Sequence, residues 1–124
     1  MRLCVVVKGS IAVAHKPSFS PVVGTLHGHD YVIRAAFCGP DDVDYFIDAD
    51  ELKRRLDGLL TQMHGRYLKS EREADAPEPY FEIPCGPYGV TGECLARYIA
   101  RALGATWVEV CESGLEAPCF YYGP

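Results

Sequence analysis

Two segments much longer than an ordinary strand, "RLCVVVKGSIAVAH" at 2–15 and "LHGHDYVIRAAFC" at 26–38, constrain this chain more than any other feature. The first is rich in valine, with Gly9 as a candidate irregularity. The second alternates, so that His27, His29, Tyr31, Ile33, Ala35 and Phe37 share one face of a strand. The loop between them, "KPSFSPVVGT", carries two prolines and a glycine. A connection this short predicts an antiparallel hairpin.

Helical patterns follow. Asp48 with Glu51 three residues later reads as a capping box of the Asp type. Leu52, Leu56, Leu59, Met63 and Tyr67 then recur at helical spacing. Residues 69–90, charged at first and then holding Pro77, Pro79, Pro84 and Pro87, read as loop. Thr91 caps a second helix that runs to Leu103, with Leu95, Tyr98, Ile99 and Ala102 on one face and Gly104 as its stop. "ATWVEVCE" and "APCFYYG" are a third and a fourth strand joined by "SGLE". The order ββααββ predicts an α+β layer: a four-stranded antiparallel sheet with two helices on one face. Its open edges call for cover, which an oligomer joining sheets edge to edge would provide.

Composition removes several functions. A chain of 124 residues predicts one domain, residues 1–124. Net charge is −5, and the basic residues cluster only in "LKRRL", so a nucleic-acid partner is not expected. An anionic small substrate remains compatible, because a local cation can oppose the overall charge. No apolar run approaches the roughly 18–20 residues that cross a bilayer. Lys8 interrupts the apolar N-terminus, which reads as a strand rather than a signal peptide. The expected location is the cytoplasm, without membrane attachment. Six cysteines (4, 38, 85, 94, 111 and 119) form no C-x-x-C pair. Most fall within predicted elements and read as small buried hydrophobes, with a disulfide or a reactive thiol as the alternatives.

His27 and His29 stand two apart on a strand, roughly 6–7 Å along the chain and pointing the same way. Such a pair is also common on ordinary surfaces. His15, however, ends the preceding strand, and the hairpin brings it alongside. Three imidazoles with no fourth ligand nearby leave a tetrahedral position open, the mark of a catalytic rather than a structural zinc site.

Taken together, several segments resemble the 6-pyruvoyltetrahydropterin synthases and the related 6-carboxytetrahydropterin synthases of queuosine biosynthesis. "IAVAH" resembles the family's "F-x-A-A-H", "LHGHDY" its "L-H-G-H-N-Y" and "FIDADELK" its "V-x-D-F-x-x-L-K". "TGECLARYI" resembles "T-x-E-N-L-A-x-Y-I", and "VEVCES" resembles "V-x-V-x-E-T". The matches run in order along nearly the whole chain. The resemblance implies the T-fold, assembled as trimeric barrels stacked into a hexamer, with active sites between subunits. It implies zinc held by His15, His27 and His29, and a small-molecule pterin anchored by Glu112. Thr91 matches a family threonine near the pterin, a position its helix-cap role explains equally well.

Two family features are altered. The family's cysteine four residues before H-G-H is replaced by Val23. The Asp-His pair at the end of the first helix becomes His64-Gly65, or Met63-His64 if one residue is inserted. Without that thiolate, the chemistry expected is a zinc-dependent reaction on a related dihydropterin, such as retro-aldol cleavage of the side chain, with His64, Asp30 or zinc-bound hydroxide as base. His64 also reads as an exposed helix-end histidine beside the last carbonyls. Weak synthase activity and a non-catalytic pterin or purine binder are the alternatives.

Overall fold

The computed structural model describes residues 1–16 and 26–124. Strands β1 (Arg2–His15) and β2 (His27–Pro40) form the expected long hairpin. Helix α1 spans Ala49–Met63, strands β3 and β4 span Tyr67–Ser70 and Tyr80–Ile83, and helix α2 spans Gly92–Leu103. Strands β5 (Trp107–Glu112) and β6 (Cys119–Tyr122) complete one sheet, ordered β4-β3-β1-β2-β5-β6.

The sheet therefore has six strands among the described residues, not four. β1, β2, β5 and β6 are antiparallel neighbours, as expected. The additional pair, β3 and β4, lies in the segment read as loop. These strands run parallel, from Tyr67↔Tyr80 to Ser70↔Ile83, and meet β1 through Ala14↔Tyr67. Each is only four residues long and flanked by charge or proline, so neither carries a period that local reading detects. Long-range bonds fix the segment instead. The Ser70 hydroxyl donates to the Gly86 carbonyl at 2.6 Å, and the Glu71 carboxylate accepts from the backbone N–H groups of Cys85 and Gly86.

Alternation along the hairpin gives one face to the core: Val7, Ile11 and Val13 from β1, then Tyr31, Ile33, Ala35 and Phe37 from β2. Val108 and Val110 of β5 continue it, and both helices cover it. The β1–β2 register runs unbroken from Arg2↔Pro40 to His15↔His27, so Gly9 is not a bulge. A Cβ at Gly9 would stand 2.6 Å from Leu60 Cδ1, and the glycine is what lets α1 settle onto β1.

The helices follow the sequence with two corrections. Asp48 caps α1 by accepting from the Asp50 N–H, while Glu51 pairs with Arg54 at 2.8 Å rather than reaching back, so no capping box closes. Buried positions are Leu52, Leu56, Leu60 and Met63, with Leu60 in place of the expected Leu59; the helix ends before Tyr67, which opens β3. Helix α2 starts at the Thr91 cap and stops at Gly104 in the left-handed region, φ 68°, as expected. Its inward face is Leu95, Ala96, Ile99, Ala100 and Leu103, whereas Ala102 points outward and Tyr98 is half-buried.

The cysteines depart furthest from expectation. All six are paired: Cys4–Cys38, Cys85–Cys94 and Cys111–Cys119. Two of these bridges join residues directly opposite one another in the β1–β2 and β5–β6 registers. The reading as buried thiols fails because two pairs depend on cross-strand register and the third on the approach of Cys85 to helix α2, neither of which the spacing of cysteines along the chain reveals. No described helix is long and apolar enough to cross a membrane.

Candidate functional site

The long hairpin builds the site. Its ladder sets His15 across from His27, with His29 two residues along β2, so all three rings project from the helix-covered face. The His15 and His27 Nε2 atoms are 2.9 Å apart, and those of His27 and His29 are 2.8 Å apart. A tetrahedral zinc with bonds of about 2.0–2.1 Å would space its nitrogens roughly 3.3 Å apart. The rings thus need to open by only about half an ångström to take such an ion.

The hydrogen positions favour this fit. His15 is buried, 4% exposed, and its Nδ1 lies 2.7 Å from the Val90 carbonyl oxygen. A carbonyl only accepts, so Nδ1 carries the hydrogen and Nε2 turns a bare lone pair toward the other rings. Burial pushes the His15 pKa down to about 4; the Val90 bond pulls it up, and His27 and His29 push it further down. A neutral imidazole held by a backbone carbonyl is the form in which histidine binds a metal. The segment leading into α2 therefore fixes the tautomer of a ligand on β1.

Glu112 ends β5 opposite Tyr31, and its Oε1 lies 3.5 Å from His29 Nε2. It thus borders the histidine cluster, at the place where a carboxylate could receive a second polar group. Tyr31 stacks at a tilt on His29, with ring centroids 5.3 Å apart. Burial, then Glu112 and Glu93, hold its phenol well above the ordinary range, so it remains a neutral hydroxyl. Thr91 uses its hydroxyl oxygen to accept from the Cys94 N–H at 3.2 Å, leaving the O–H hydrogen for another partner.

The two proton-transfer candidates are placed differently. His64 follows α1, and its Nδ1 accepts from the Ala12 backbone N–H at 3.1 Å. It engages β1 rather than the last helix carbonyls, so the neutral ring carries its hydrogen on Nε2, which can donate it. Asp30 alternates to the sheet face opposite His29 and is exposed. Within one chain it does not join the histidines. Val23 lies outside the described residues.

Beside His27 opens a cleft of about 530 Å³, bordered by Gly28, Gly65, Arg66, Tyr67 and Glu78 among others. Sequence reading missed Val90, Arg66, Tyr31 and Glu93. Tyr31 had a signal, since it continues the alternation of His27 and His29. The other three had none, because only the fold brings them near.

Comparisons with known proteins bear on the fold and the family. No curated protein sequence matches the chain. A structure of 6-pyruvoyltetrahydropterin synthase from Plasmodium vivax aligns with 100% of this chain and 99% of its own, at 18% identity and a TM-score of 0.75. That of Plasmodium falciparum covers 99% of each chain at 16% identity, TM-score 0.74. The Caenorhabditis elegans protein covers 100% of this chain and 96% of its own at 18% identity, TM-score 0.69. Identities this low speak for the shared T-fold alone. The sequence itself, over residues 6–116, matches the family model described as 6-pyruvoyl tetrahydropterin synthase, and the chain belongs to that family.

Proposed function

We propose that the protein is a zinc-dependent lyase that cleaves the side chain of a 7,8-dihydroneopterin-type substrate. The observation that carries this reading is the convergence of three imidazole Nε2 atoms beside a glutamate carboxylate. Bound to His15, His27 and His29, zinc would supply a Lewis acid that polarises a hydroxyl oxygen of the substrate side chain. Glu112 would hold the pterin by accepting two parallel N–H bonds, a fork geometry that also orients the side chain toward the histidines. Arg66 offers the cleft a positive charge for a substrate phosphate, and Glu78 lines the same cleft.

In the cleavage, the second side-chain hydroxyl loses its proton, the bond between the first and second side-chain carbons breaks, and the second carbon becomes an aldehyde. The electron pair left on the first carbon takes up a proton, giving a hydroxymethyl dihydropterin. No oxidant or reductant is needed. His64, whose Nδ1 accepts from the Ala12 N–H, carries its hydrogen on Nε2 and is the group proposed to protonate the first carbon; Asp30, toward the site of a neighbouring subunit, is proposed to take the hydroxyl proton. In the Plasmodium vivax relative a glutamate is a catalytic residue. Further parts of the proposal are a single T-fold domain over residues 1–124 and assembly as a hexamer of two trimers. The cytoplasmic location also belongs to it, provided that cytosol is one where disulfides persist, as in hyperthermophiles.

The test is mass spectrometry of the products when zinc-loaded protein meets 7,8-dihydroneopterin triphosphate in the presence of an aldehyde trap. The expected result is hydroxymethyl dihydropterin with a trapped aldehyde, both abolished by chelation and strongly reduced by His64→Ala. A pyruvoyl or carboxy product would replace this reading with synthase activity. Untouched substrate, together with a ligand-induced rise in Tm, would leave a binding protein.

A further inference from the structure

The ladder geometry that gathers the histidines occurs a second time, on the other face of the same sheet. In the first case a cross-strand pair, His15↔His27, is joined by His29 two residues along. In the second, the cross-strand pair is Cys111↔Cys119, and Glu109 stands two residues along β5. Val108 and Val110 face the helices, so Glu109 and Cys111 face away from them. The two sulfurs and a Glu109 carboxylate oxygen all lie within 4.8 Å of one another.

We propose that Cys111, Cys119 and Glu109 form a second divalent-metal site, closed while the Cys111–Cys119 disulfide is intact and opened by its reduction. This inference is independent of the proposed lyase activity. A dithiol or phosphine reductant supplies two electrons and is itself oxidised. The S–S bond breaks and each sulfur takes a proton. Binding of the ion then releases both protons and leaves two thiolates. Two thiolates and one carboxylate carry three negative charges, and Arg34, whose Nη1 lies 3.1 Å from Glu109 Oε1, offsets one. A divalent cation neutralises the remainder. Two soft sulfurs with one oxygen select a zinc-class ion over magnesium or calcium. In the single chain Cys119 is exposed on the edge strand β6.

The Cys4–Cys38 bridge provides an internal contrast. It is also a cross-strand pair, but its neighbours two residues away are Arg2, Val6, Ala36 and Pro40, none of which offers a carboxylate, imidazole or thiol.

Cobalt(II) titration of the full chain, before and after phosphine reduction and desalting without oxygen, tests the proposal. Thiols are counted first, to verify that all six are free. Reduction is expected to add one bound ion per chain, with an intense near-ultraviolet thiolate-to-cobalt band. Cys4→Ser with Cys38→Ser should keep both the ion and the band, whereas Cys111→Ser with Cys119→Ser should lose both. Glu109→Gln, which leaves the bridge in place for folding, should weaken the reduced site roughly tenfold or more, since even outer-shell losses cost about that much. Equal cobalt binding by oxidised and fully reduced protein would overturn the proposal. So would a band that survives in the Cys111/Cys119 variant, or an unchanged affinity in Glu109→Gln.

Discussion

At the scale of single residues, His15 and Glu112 carry the most specific consequences. His15 has a folded pKa near 4, below its ordinary value of 6.5. Between those values the unfolded chain takes up a proton that the folded chain refuses, so stability is full above about pH 6.5 and declines as pH falls toward 4. Metal-free protein should therefore show a Tm that drops across this window, with a slope of at most about 1.4 kcal/mol per pH unit from this residue. His15→Gln should flatten the curve between pH 6.5 and 4.5; an unchanged slope in that variant would assign the effect elsewhere. Glu112 sits 3.5 Å from His29, close enough that its proposed role as pterin anchor and a role in holding metal need separating. Hydrogen bonds to a charged group contribute about 1.5–3 kcal/mol, so Glu112→Gln should weaken pterin binding roughly 10- to 100-fold. Metal content, measured by elemental analysis, should stay the same. Loss of metal instead would make the carboxylate a ligand.

At the scale of elements, the seating of α1 on β1 depends on one missing side chain. Gly9 leaves room for Leu60, whose Cδ1 would be 2.6 Å from an added Cβ. Gly9→Ala should cost about 1–3 kcal/mol, as overpacking in a filled interior does. Gly58 in the same helix is exposed, with nothing within 4 Å of an added Cβ. Gly58→Ala should accordingly stabilise by about 1 kcal/mol through helix propensity. Urea unfolding of the two variants checks the pair, and the same sign for both would refute this account of the helix–sheet contact. The two helices themselves were legible because their signals are local: an Asp48 or Thr91 cap, a leucine stripe, a Gly104 stop. The choice of Leu60 over Leu59 was not, since adjacent leucines fit the stripe equally until the sheet below selects one.

For the molecule as a whole, the three bridges tie distant parts of one sheet and its helix layer. Cys4 and Cys38 close a separation of 34 residues, Cys111 and Cys119 one of only 8. On chain-entropy grounds the first should stabilise by about 4 kcal/mol and the second by about 2.5. Replacing each pair by serine and comparing denaturant midpoints tests the order. A larger loss from the Cys111–Cys119 pair would mean that native-state contacts, not loop closure, govern these bridges.

The hairpin, the two helices and the histidine set were determined by the sequence alone, because each rests on a period or spacing within a few residues. Alternation along β2 put His27 and His29 on one face; the same rule puts Asp30 on the other, against its expected part as a base at the histidines. Tertiary structure decided the rest: the short parallel strands β3 and β4, the disulfides, the Val90 carbonyl that sets the His15 tautomer, and the arrival of Arg66 at the cleft that His27 lines. These depend on which strands lie side by side and in what register. Such pairing joins residues tens of positions apart, and no local pattern in the chain encodes it.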